Sequence, residues 1–212
     1  MKVEIHSRMS IKKLIEEGFP KNTAVISFFT PQKMRRAEDV RIDYSEVCNK
    51  VFYIAVPDID LKCLSDYGYT YDTYIEDTVG LAEFIYDAYS YGMDIICQCD
   101  FGQSRSAACA AAILEHFEGR GIDIFTDYRY YPNQLVYHKV FDALEKHVYD
   151  KAVDYIKTTP DYISVDNLQR MVGVGFGMAR KIINKLFSDG VIERSEDKNR
   201  ESYKLSCGGD VK

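Results

Sequence analysis

Three short apolar runs alternate with helix-forming stretches along the first two thirds of the chain, and this alternation constrains the fold more than any other feature. Thr23 to Phe29, Val51 to Val56 and Met93 to Gln98 read as buried strands. Between the second and third, Ile75, Val79, Ala82, Ile85 and Ala88 recur at helical spacing. After the third, Ser106 to Leu114 is rich in alanine, and Tyr131-Pro132-Asn133-Gln134 opens a further helix carrying Leu135, Val140 and Leu144. Strands alternating with helices predict an α/β fold, a mostly parallel central sheet flanked by helices. In such sheets ligands sit beyond the carboxyl ends of the strands.

The third strand runs into Cys99-Asp100-Phe101-Gly102-Gln103-Ser104-Arg105-Ser106. A tight loop between a strand and a helix leaves its amides unpaired at the positive end of the helix dipole, where they bind an anion. Asp100, Phe101, Gly102, Gln103 and Ser104 supply those amides, and Gly102 lets the backbone turn and approach the ligand closely. Arg105 can grip two anion oxygens with its fork. The same field favours the thiolate of Cys99, the nucleophilic form.

These residues resemble the signature loop of the cysteine-dependent protein phosphatases, His-Cys-x-x-Gly-x-x-Arg-Ser/Thr, and are most similar to its dual-specificity-like branch. Gln98 stands where that family has histidine. The resemblance implies a phosphatase acting on a phosphorylated protein or peptide through a cysteinyl-phosphate, without metal or cofactor. Cys99 is then the nucleophile, Arg105 the phosphate clamp and Ser106 the aid to release of the sulfur. It also implies an aspartic acid upstream that protonates the leaving oxygen. Asp58, in Val56-Pro57-Asp58-Ile59-Asp60 at the end of the second strand, is the best match, followed by Asp60 and Asp66. The spacing to Cys99 is longer than is usual for the family, and Tyr67 to Tyr71 is a candidate for the extra length as a rim or lid. The alternative from the same residues is a phospho-residue reader whose turnover the Gln98 departure or a misplaced acid has silenced.

Lys and Arg number 27 against 33 Asp and Glu, a net charge of −6, and from Tyr149 onward the balance is 11 to 10, so the acidity belongs to the first part. No run is long and apolar enough to span a bilayer, the start has no signal-peptide core, and six cysteines lack framework spacing. A cytoplasmic, non-membrane protein is expected. Cys97 and Cys109 are expected as small core residues.

The composition shift predicts a boundary, with residues 1–148 as the catalytic domain and 149–212 as a second. In the latter, Tyr149 to Thr159 reads as a helix stopped by Pro160. Ser164 caps a second helix through Leu168 and Met171, and Gly177 to Phe187 is a third. Val191 to Arg194 and Ser202 to Leu205 read as a hairpin, giving a small winged helix-turn-helix. Gly173-Val174-Gly175-Phe176-Gly177 has neither the spacing nor the preceding strand of a dinucleotide loop and reads as the turn between helices.

This part resembles the gamma domain of the FtsK DNA translocase, at Ile163-Ser164, Leu168-Gln169-Arg170, Val174-Gly175-Phe176, Ala179, Ile182-Ile183, Gly190-Val191-Ile192 and Lys198-Asn199-Arg200-Glu201. The resemblance implies duplex DNA as a partner, for which Arg180, Lys181, Lys185 and Arg200 are the candidate contacts, and the alternative for a winged helix is a protein-binding module. Gly177-Met178 replaces an Asn-Arg pair of that domain, so its sequence specificity is not implied here.

Overall fold

Strands β1 (Val3–Ser7), β2 (Thr23–Phe29), β3 (Val51–Ala55) and β4 (Asp94–Cys99) form one four-stranded sheet in the order β1-β4-β2-β3, and every pairing is parallel. The computed structural model describes residues 1–31, 41–158, 163–195 and 202–206. The architecture is α/β, with the sheet flanked by helices. The apolar runs of β2 and β4 are buried almost throughout because they are central, whereas β1 and β3 lie at the edges and are half-buried.

The two faces of β4 follow its alternation. On one face Ile96 packs with Val25, Ile42, Tyr44 and Ile11, the last carried by helix α1 (Arg8–Glu17). Ser7 and Ser10 cap that helix reciprocally, each hydroxyl accepting the other's backbone N–H at 3.0 Å. On the other face Cys97 and Cys99 meet helix α3 (Arg105–Glu118). Ala107, Ala108, Ala110, Ala111 and Ala112 are fully buried in α3, and their small side chains bring it close to β1, β2 and β4. Cys97 and Cys109 are core residues, and burial, followed by the neighbouring Cys109, pushes the Cys97 thiol well up. Helix α2 (Thr78–Ser90) buries Ala82, Ile85 and Ala88 as its spacing predicts, and Leu81 and Tyr86 besides. Val79 is exposed, because the first helical turn faces outward, and Ile75 is buried ahead of the helix.

After the short α4 (Ile122–Phe125), helix α5 runs unbroken over 25 residues, Gln134–Thr158. The separate helix expected from Tyr149 is therefore the continuation of α5: Val148, Ala152, Val153 and Ile156 extend the apolar stripe of Leu144 with no glycine or proline between. Two compact units divide within it, Met1–Leu144 and Glu145–Lys212.

In the second unit α6 (Val165–Val172) is capped by Ser164, whose hydroxyl accepts the Asn167 N–H at 3.2 Å. It ends on Gly173 at φ 74°, and α7 (Phe176–Ser188) follows after the turn. β5 (Ile192–Arg194) pairs antiparallel with β6 (Tyr203–Leu205), and Ile163 bridges to Tyr203. Leu168, Val172, Ala179, Ile182, Ile183 and Leu186 are buried, while Met171 points to solvent. Pro160 and the Lys198-Asn199-Arg200-Glu201 turn lie outside the described residues. Among the described residues no helix is long and apolar enough to cross a membrane.

Candidate active site

Residues that follow the carboxyl ends of all four parallel strands supply one cluster: Arg8 after β1, Thr30 after β2, Val56 and Asp58 after β3, and Cys99 and Asp100 at the end of β4. Cys99 is buried, and its sulfur receives the Gly102 N–H at 3.2 Å and lies 3.1 Å from Ser106 Oγ. Gly102 sits at φ 71°, and a Cβ there would fall 2.7 Å from the Ser7 backbone nitrogen, so the loop packs backbone to backbone on β1.

Arg105, only 2 % exposed, opens α3. Its Nη1 donates to the Val56 carbonyl at 2.8 Å and to Thr30 Oγ1 at 3.4 Å. Its Nη2 donates to Asp100 Oδ2 at 2.5 Å. The buried Nε has no hydrogen-bond partner, and the Asp58 carboxylate stands 3.8 Å from it. A buried guanidinium N–H left unpaired is costly unless a ligand takes it. The Nε–Nη2 edge is the one that grips two oxygens of a tetrahedral anion.

Asp58 faces this edge from the end of β3. Its Oδ1 accepts Ser104 Oγ at 2.7 Å and Asn133 Nδ2 at 2.8 Å. Asn133 also donates to the Ile59 carbonyl at 3.0 Å, and its Oδ1 accepts the Val136 N–H at 3.0 Å, so one side chain caps α5 and fixes the Asp58 loop. Tyr74 secures the same loop from below by donating to the Pro57 carbonyl at 2.6 Å, and burial pushes this phenol up, keeping it a donor. Asp60 and Asp66 are exposed and make no hydrogen bond or ion pair with the loop. Tyr71 is tied to Asp142 of α5 at 2.5 Å.

Gln98, on the opposite face of β4 from Cys99, reaches back and donates through Nε2 to the Cys99 carbonyl at 2.7 Å. Its Oε1 accepts Ser27 Oγ at 2.7 Å and Tyr44 Oη at 3.3 Å. All the polar atoms of this buried amide are engaged, and the loop gains a fixed carbonyl without an imidazole. Arg8 donates to Asp100 Oδ1 through Nη2 at 2.6 Å and Nε at 3.2 Å. Burial alone would raise the Asp100 carboxyl, but the Arg8 and Arg105 guanidiniums outweigh it and hold the group below the usual range.

Of the residues singled out from sequence, Cys99, Asp100, Gly102, Ser104, Arg105, Ser106 and Asp58 are brought together, while the Phe101 side chain is 78 % exposed and Gln103 contributes a carbonyl that accepts the Tyr131 N–H at 2.9 Å. Arg8, Thr30, Ser27, Tyr44 and the clamping role of Asn133 were not legible from sequence. Only Asn133, polar ahead of an apolar helix, carried a local signal. In the second unit Arg180 is exposed on α7, Lys181 pairs with Glu145 at 2.8 Å, and Lys185 pairs with Asp189 at 3.2 Å. Arg200 lies outside the described residues. Among the described residues no group of three or more His, Cys, Asp or Glu is placed to hold a metal ion.

No protein-family model matches the chain, and no curated protein does. Among solved structures it is similar to PTPMT1 in complex with PI(5)P, at 10 % identity and a TM-score of 0.40 over 69 % of this chain and 92 % of that one. A second PTPMT1 structure gives 13 % identity and a TM-score of 0.38, covering 71 % and 94 %. The human tyrosine phosphatase-like serine/threonine/tyrosine-interacting protein gives 15 % and 0.37, covering 64 % and 83 %.

Proposed function

We propose that the first unit is a phosphatase that hydrolyses phosphomonoesters, on phosphorylated proteins or peptides, through a cysteinyl-phosphate. The observation that carries this reading is the buried, unpaired Nε of Arg105, in the same loop as Cys99 and 3.8 Å from the Asp58 carboxylate. The phosphate oxygens take the Arg105 fork and the loop amides, and the Cys99 thiolate attacks phosphorus in line as the ester P–O bond breaks. Asp58 gives its proton to the leaving oxygen. Water then attacks the cysteinyl-phosphate, Asp58 takes the proton back, and the sulfur leaves with Ser106 Oγ beside it. Hydrolysis of an aryl phosphate without added metal, inhibition by vanadate, and phosphate recovered on Cys99 after rapid quenching are the expected results. Phosphopeptide binding with no turnover and no labelled cysteine favours the reader alternative.

We propose further that the second unit is a winged helix that binds duplex DNA through α7. Its support is the helix-turn-helix path with Arg180 exposed on α7. Lys181 and Lys185 already hold intrachain ion pairs, so few phosphate contacts are expected. Full-length protein titrated with a fluorescent duplex should lose affinity with salt at a slope near −0.9 per contact, and Arg180→Ala should flatten that slope by about one contact. Absence of binding at low salt assigns the unit to protein contacts.

A further inference from the structure

Asp100 presents a difficulty for any anion entering this site. On the gripping edge of Arg105, Nε has no hydrogen-bond partner, while Nη2, which carries two N–H groups, already has the Asp100 carboxylate on it at 2.5 Å. A phosphate dianion gripped by Nε and Nη2 would lie against a second anion held on the same nitrogen, and the two like charges repel. The same carboxylate has another place to go. Its Oδ1 already accepts two N–H groups of Arg8, and its backbone carbonyl accepts the Arg8 N–H at 3.1 Å. The main chain at 100 is thus pinned to the start of α1 whichever way the side chain turns. Arg105 does not depend on Asp100 for its placement, because Nη1 is anchored on Val56 and Thr30.

We propose that Asp100 is a gate on the phosphate clamp: in the empty site its carboxylate occupies Nη2 of Arg105, and an entering phosphate displaces it onto Arg8 alone. This rests on the phosphatase reading above and adds to it a built-in competitor, with Arg8 as a positioning residue acting through Asp100. Its consequence is weak retention of inorganic phosphate, the product, since the carboxylate returns to Arg105 as phosphate leaves.

The test is calorimetric titration of inorganic phosphate into full-length Cys99→Ser protein, alone and combined with Asp100→Asn, Arg8→Gln or both. Asp100→Asn should tighten phosphate by about tenfold or more, because the neutral amide competes poorly for the guanidinium. Arg8→Gln should weaken it, since the carboxylate then has only Arg105. In the Asp100→Asn background Arg8→Gln should have little further effect, the signature of action through a shared partner. Asp100→Ser serves as a second neutral variant should the amide perturb folding. If phosphate binds but neither neutral variant binds it more tightly, Asp100 is a strut for Arg105: the gate falls and the phosphatase reading stands. If no protein of the series binds phosphate, both fall.

Discussion

Turnover in Cys99→Ser is expected to fall by at least ~10⁴-fold, to the background of the uncatalysed assay, because a serine hydroxyl at the same position has no base to make it a nucleophile. The sulfur's neighbours are a backbone N–H and the Ser106 hydroxyl, neither of which takes a proton at neutral pH. Arg105→Lys is expected to cost about 10²–10³-fold through loss of the two-pronged grip on charge that builds in the transition state. A lysine in that buried place also leaves the Val56 carbonyl and Asp100 without their geometry. Steady-state rates on an aryl phosphate, with melting curves to confirm folding, measure both. Undiminished activity in Cys99→Ser overturns the assignment of the nucleophile.

For Asp58→Asn the size of the loss should depend on the leaving group. An alkyl phosphate, whose alkoxide leaves poorly, should slow by ~10²–10⁴-fold, and nitrophenyl phosphate much less, since nitrophenolate departs without a proton. Asn133→Ala should reproduce part of the alkyl-specific loss, because it frees the Asp58 loop from α5 without removing the carboxyl. Equal losses for the two substrates move the acid to Asp60 or Asp66.

What could be read from the sequence was whatever is local along the chain. The strand, loop and helix from Asp94 to Glu118 are contiguous, so their order, the glycine with positive φ and the cysteine-to-arginine spacing were all visible. The anchors of Arg105, Thr30 and Val56, were not, nor was Arg8 as the partner of Asp100, because all three follow strands brought together only by sheet pairing. β1 itself was missed: Val3-Glu4-Ile5-His6-Ser7 is short and half-polar, as an edge strand can afford to be. The helix expected to start at Tyr149 is the continuation of α5, whose apolar stripe crosses the shift in charge without interruption, so the charge balance carried no information about where that helix begins. Gln98 was legible only as an irregularity, because two of its three partners, Ser27 and Tyr44, lie on segments far from it along the chain.

Arg105 is aimed by the carbonyl of Val56, a main-chain atom. No exchange of the side chain at position 56 deletes that acceptor, so in a saturation-mutagenesis map this position should tolerate any residue that fills the core, even though it holds the clamp. The vulnerability is transferred to strand alignment. A one-residue slip of β3 against β2, where Phe29 now faces Ala55, would turn the carbonyl away from the guanidinium while leaving every side chain of the site intact. Loss of function would then come from deletions and insertions between β2 and β3, invisible to any scan of the signature loop.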